Sequence, residues 1–254
     1  MDFKDCSIEG KSNLLHTFLF VTWCFVFTIL YGLACIFLSV FNKNIARKLA
    51  RLWNVQLLKI AGVKVHIIGK EKLSSDEHYV FVSNHQSALD IPVLYQLYHN
   101  VSFIAKKELF MIPIFGWGLA AVGHIWIDRT NARKAHNSIK RAINRLHKEK
   151  VSLILFPEGT RSKYGSVGEF KKASFSLALQ ANVKLVPVAI IDAAKRLPKS
   201  SCRIVPGKVT LAIGDPISPS ELKNKNKAEI ALEVRERITS MISNKQTTRQ
   251  TESS

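Results

Sequence analysis

From Leu14 to Phe41 the chain carries no Asp, Glu, Lys or Arg, and Phe, Leu, Val and Ile dominate the run. About 20 predominantly apolar residues are enough to cross a bilayer as a helix, the conformation in which a single segment satisfies its own backbone there. The run exceeds that length. A secretory signal peptide is the competing reading, but its apolar core is about 7–15 residues and ends in a small-residue cleavage site. Here the apolar stretch continues past Cys35 and no such site follows. The segment is therefore read as embedded in a membrane. Gly32 leaves two topologies open, a full span or a bend that returns the chain to the side it came from.

The flanks are basic. Lys43, Arg47, Lys48 and Arg51 follow the segment, against Lys4 and Lys11 before it, a bias that leaves the bulk of the chain on the cytoplasmic side. Ile45, Leu49, Leu52, Trp53 and Gln56 then share one face of a predicted helix whose other face is basic, as in helices that lie at a membrane surface. The formal charge of +18 calls for acidic partners. An anionic membrane surface or polyanionic small molecules fit. Nucleic acid does not, because no recognition motif is present and the basic residues are not interleaved with stacking aromatics. Cys6, Cys24, Cys35 and Cys202 lack CxxC spacing, which argues against a disulfide framework and a zinc site and for a reducing compartment.

Four regions follow: a tail at 1–13, a membrane-embedded helix plus basic amphipathic helix at 14–62, an α/β domain at 63–243, and a polar tail at 244–254 expected to be disordered. Within the domain, strands are predicted at 63–68, 79–83, 102–105, 125–128, 151–156, 185–191 and 208–213. Several are β-branched and continuously apolar, the mark of strands buried on both faces. Helices are predicted at 90–98, 115–122, 131–148 and 172–180. The fold class is α/β, a mixed, mostly parallel sheet flanked by helices. Pro187 inside an apolar strand predicts an edge, a bulge or a strand end. Ser218-Pro219 reads as a cap with a first-turn proline, followed by a helical stripe of Ile230, Val234, Ile238, Met241 and Ile242.

Two runs at predicted strand ends carry chemistry. Asn84-His85-Gln86-Ser87-Ala88-Leu89-Asp90 offers an imidazole with a carboxylate five residues on. Asp90 has two possible tasks: capping the helix that Pro92 begins, or holding the His85 ring so that one nitrogen is free as a base. Phe156-Pro157-Glu158-Gly159-Thr160-Arg161 offers a glycine turn ending in a planar guanidinium suited to phosphate. Glu158 would repel a phosphate, so it is expected to orient an arginine or bind a hydroxyl. Gly123-His124-Ile125-Trp126-Ile127-Asp128-Arg129 ends a further strand with an arginine, and Lys106 ends another. His124 reads as structural. The uncharged run from Leu109 to Gly123 suits an acyl pocket or a core helix.

In order and spacing, Asn84-His85 with Asp90, Gly123 through Arg129, Phe156 through Arg161, and Val186-Pro187-Val188-Ala189-Ile190 resemble the four blocks of the 1-acylglycerol-3-phosphate O-acyltransferase family. The resemblance spans about 63–214. It implies acyl transfer from acyl-CoA or acyl-carrier protein to the sn-2 hydroxyl of lysophosphatidic acid, giving phosphatidic acid, with no metal and no organic cofactor. His85 and Asp90 would be catalytic. Lys106, Arg129, Glu158, Gly159, Thr160 and Arg161 would bind substrate. The setting implied is a membrane, with the domain on the cytoplasmic face, as in a bacterial inner membrane. Other readings remain: a glycerol-3-phosphate or other lysolipid acyltransferase, a covalent route through Ser83 or Ser87, or an anchored polyanion-binding module without catalysis.

Overall fold

The computed structural model describes residues 13–97, 100–127, 132–162, 166–199 and 201–252. Two long helices come first, α1 (Leu14–Phe41) and α2 (Lys43–Ile60), followed by β1 (Val63–Ile68), β2 (Val80–Ser83) and α3 (Asp90–Leu94). Then come β3 (Val101–Lys106), α4 (Lys107–Phe110), α5 (Phe115–Val122), β4 (Ile125–Ile127), α6 (Ala132–Glu149) and β5 (Ser152–Leu155). The chain closes with α7 (Phe175–Ala181), β6 (Leu185–Ile191), α8 (Ala193–Arg196), β7 (Gly207–Ile213), α9 (Pro219–Lys223) and α10 (Lys227–Glu252).

The seven strands form one sheet in the order β1-β7-β6-β2-β5-β3-β4. Every neighbouring pair is parallel except β6 with β7. Alternation along the strands divides the core. Val80 and Val82 face a cluster closed by α6, α7 and α10, whereas Tyr79 and Phe81 face one closed by α1, α2 and α3. Two covered faces explain why these strands read as unbroken apolar runs.

Pro187 lies in an interior strand, not at an edge. Its carbonyl accepts from the Gly214 N–H, so its missing donor would also have pointed at β7. Between the pairs Val188↔Ile213 and Leu185↔Ile217, Val186 and Pro187 face three residues, Gly214, Asp215 and Pro216. That extra residue is a bulge, and it absorbs the proline without breaking the β2–β6 ladder.

α1 is continuous through Gly32, so the bend does not occur. The glycine serves a helix crossing instead: Gly118 of α5 packs where a Cβ would sit 3.4 Å from the Gly32 Cα, and a Cβ on Gly32 would meet Ile114 at 2.8 Å. α1 and α2 form an antiparallel hairpin. Asn42 caps α2 at the tip, and at the open end the His16 imidazole is 2.7 Å from the Ile60 carbonyl. The outer flank of α1 leaves Phe18, Phe25, Leu33 and Phe37 exposed. By length and composition α1 can cross a membrane.

α2 differs from the predicted surface helix. Ala46, Leu57 and Leu58 are buried and Ile45 and Leu52 exposed, and Arg47 is buried rather than turned outward. The Arg47 guanidinium donates to the Val122 carbonyl and pairs with Glu149, which also takes Lys43 and Arg145, each at 3.0 Å. Burial opposes ionisation of Glu149, but these three cations together hold its carboxyl below the usual range. The expected disordered tail is also corrected: α10 runs on to Glu252. No Gly or Pro interrupts 227–252, and Lys, Gln, Arg and Glu are adequate helix formers.

Candidate active site

β2 and β5 are parallel neighbours, so the segments leaving their carboxyl ends meet at one edge of the sheet. Asn84, fully buried, fixes the first of them. Its amide donates to the Ile190 carbonyl at 2.9 Å and accepts from the Ile190 N–H at 2.8 Å, clamping the loop to β6. Sequence reasoning gave Asn84 no task, and a side-chain amide directly after an apolar strand was the available signal.

Asp90 is not the helix cap. Leu89 holds that position, and the Asp90 carboxylate turns back over the preceding loop. One oxygen accepts from His85 Nδ1 at 2.7 Å and from the Gln86 and Ser87 backbone N–H groups at 2.6 and 2.9 Å. With Nδ1 committed as donor to a fully buried carboxylate, the lone pair of Nε2 is left available as a base. Phe156 stacks on the imidazole with centroids 4.1 Å apart and planes 20° apart, which sets the ring plane.

Glu158 does neither thing expected of it. Its two oxygens accept from the backbone N–H groups of His85 at 2.8 Å and Gly168 at 3.1 Å. Burial pushes its carboxyl above the usual range, and the two N–H bonds work against that shift. A Cβ on Gly168 would lie 2.8 Å from the carboxylate, so a larger residue there would displace the Glu158 side chain. Gly159 takes the expected positive φ, +73°, but its N–H closes the turn onto the Phe156 carbonyl and is not aimed at an anion.

His85 and Arg161 line the same cavity, of about 450 Å³. Among the described residues no carboxylate pairs with the Arg161 guanidinium. The uncharged run supplies Leu109, Phe115, Gly118, Leu119 and Val122 to its wall, and α1 and α2 contribute Tyr31 and Trp53. Thr160 is exposed beside Lys199. Lys106 is exposed at the end of β3 and is not part of the cavity wall, although the preceding Ala105 is. Arg129 falls outside the described residues.

His124 is structural. Its Nδ1 accepts from the Phe103 N–H at 3.2 Å, and its Nε2 lies 2.9 Å from the Tyr95 hydroxyl. Burial, reinforced by Arg47 and Arg145, lowers its pKa to about 3. Neither serine near His85 is placed as a nucleophile, since Ser83 Oγ donates to the Asn84 carbonyl and Ser87 Oγ to Leu197.

Comparison with known proteins identifies the family. A family model described as Acyltransferase matches residues 64–191. The chain is 37% identical over 196 residues to a chloroplast 1-acyl-sn-glycerol-3-phosphate acyltransferase of Arabidopsis thaliana, covering 75% of this chain and 54% of that protein. It thus spans little more than half of that relative's length. A 1-acyl-sn-glycerol-3-phosphate acyltransferase of Haemophilus influenzae is 29% identical over 220 residues, covering 86% of this chain and 90% of the other. Among solved structures, the 1-acyl-sn-glycerophosphate acyltransferase PlsC of Thermotoga maritima superposes with a TM-score of 0.77 at 30% identity, covering 92% of this chain and 96% of that one.

Proposed function

This chain belongs to the acyltransferase family, and from that premise we propose that it transfers a fatty acyl group from an acyl thioester to the sn-2 hydroxyl of 1-acyl-sn-glycerol-3-phosphate, giving phosphatidic acid. The observation that carries the reading is one apolar cavity lined by both a carboxylate-held imidazole and Arg161, whose guanidinium no carboxylate pairs among the described residues. The acceptor's phosphate meets Arg161 and its hydroxyl meets His85 Nε2. As the hydroxyl oxygen bonds to the thioester carbonyl carbon, the imidazole takes the proton and Asp90 stabilises the imidazolium. The C–S bond then breaks, and the proton passes from His85 to the leaving sulfur. The thioester is already activated, so the reaction calls for no cofactor beyond the donor, acyl-CoA or acyl-carrier protein.

Access follows from the hairpin. α1 is bound along its flank to α2, whose Arg47 is tied into the domain. A full crossing by α1 would drag that buried ion pair and the basic residues of α2 into hydrocarbon, at several kcal/mol per charge. We therefore place the outer flank of α1 in one leaflet, the basic residues among its headgroups and the domain on the cytoplasmic face. The test is thiol release from acyl-CoA by the purified protein in mixed micelles. Release that depends on lysophosphatidic acid, and falls sharply when a monoacylglycerol replaces it, supports the reading. Acceptor-independent release, or none, refutes it.

A further inference from the structure

The segment after α8 crosses the site like a strap. At its base Arg196 is buried, donating to the Pro206 carbonyl at 3.0 Å while its own carbonyl accepts from the Val205 N–H at 2.8 Å. The Leu197 carbonyl then accepts from Ser87 Oγ at 2.7 Å, fastening the strap to the His85 loop. Two residues on, the Lys199 ammonium donates to the Arg161 carbonyl at 2.6 Å and lies 3.4 Å from Thr160 Oγ1. No carboxylate neutralises Lys199 among the described residues. Lys199 lies outside all four sequence motifs.

The peptide unit between Arg161 and Ser162 is held at both ends. Its carbonyl takes the Lys199 ammonium, and its N–H donates to the His85 carbonyl at 2.8 Å. Among the described residues the side chain of Arg161 has no carboxylate partner, so its place on the cavity wall rests on the main chain being fixed. A charge-assisted hydrogen bond is the stronger kind of fastening.

We propose that Lys199 is the positioning residue of the acceptor-phosphate site. It locks the Arg161–Ser162 peptide so that the guanidinium meets the phosphate. This rests on the acceptor being a phosphate-bearing lysolipid. Lys106, a cation the sequence singled out, is not one of the groups that make this hold.

The test is steady-state kinetics of the full-length protein in mixed micelles, with lysophosphatidic acid and with a monoacylglycerol of the same chain. Lys199→Met keeps the aliphatic stem and removes the donors. It is expected to raise the KM for lysophosphatidic acid roughly ten- to a hundredfold. Its kcat and the KM for acyl-CoA should stay within about twofold of wild type, and monoacylglycerol turnover should not change. Lys199→Arg should recover most of the loss. In an Arg161→Ala background Lys199→Met should add less than about a twofold further loss, because the lysine acts through the arginine. An equal loss on both acceptors, or full multiplication of the two single losses, overturns the proposal. If Lys199→Met does not fold, judged by its melt, Lys199→Gln and Lys199→Arg carry the same comparison. A wild-type enzyme indifferent to the acceptor's phosphate overturns the functional reading and this proposal with it. A discriminating wild type with an unaffected Lys199→Met overturns the proposal alone.

Discussion

Asp90 serves His85 and its own loop at once, because one buried oxygen takes the imidazole and two backbone N–H groups. Asp90→Asn removes the charge that stabilises an imidazolium, so kcat should fall at least about a hundredfold while the melting temperature moves little. A mild loss in kcat would return Asp90 to a purely structural role. Glu158→Gln is different: both oxygens are acceptors, and the amide nitrogen can replace neither. It should cost about 1–3 kcal/mol in denaturant unfolding, with the loosened His85 loop lowering kcat. His124 gives a pH test. Its folded pKa, about 3, lies below the ordinary 6.5, so the unfolded chain binds the extra proton. Its contribution is therefore complete above 6.5 and is lost as pH falls toward 3, at up to about 1.4 kcal/mol per unit. His124→Gln should flatten that slope in unfolding experiments between pH 6 and 4. His85, Asp90 and Arg161 could be singled out in sequence because the motifs that carry them are local. The task of Glu158 was not legible, since its partners stand 73 and 10 positions away.

Secondary structure was the most readable level. All seven strands occur where they were predicted, several of them from continuous apolar, β-branched runs, within a residue or two at the ends. Periodicity fails where long-range partners decide. Arg47 looked like a surface charge, and only the fold brings Glu149 to it from 102 positions away. Glu149→Gln should leave that buried guanidinium short of its counter-charge, lowering stability by about 3 kcal/mol in a thermal or denaturant melt. Gly32 looked like a bend, whereas the α1–α5 crossing needs its missing Cβ. Gly32→Leu should force the helices apart at about 1–3 kcal/mol. Because Gly32 and Gly118 both line the cavity, it should also depress use of long acyl donors more than short ones.

Taken whole, the molecule is a sheet with its candidate site at the carboxyl ends of β2 and β5 and an apolar hairpin forming part of the cavity wall. α1 is therefore more than a candidate membrane span, since Thr28, Tyr31, Gly32 and Cys35 line the same cavity as His85. That dual use was invisible in sequence, where the apolar run read only as membrane. The central claim is that His85 carries out acyl transfer to the sn-2 oxygen. The direct measurement supplies labelled acyl-CoA and lysophosphatidic acid to wild type and to His85→Ala, matched for melting temperature, and locates the label in the product. The account predicts phosphatidic acid labelled at sn-2 from wild type, with kcat lowered about 10²–10⁴-fold in His85→Ala. Label at another position, or undiminished turnover by a folded His85→Ala, would contradict it.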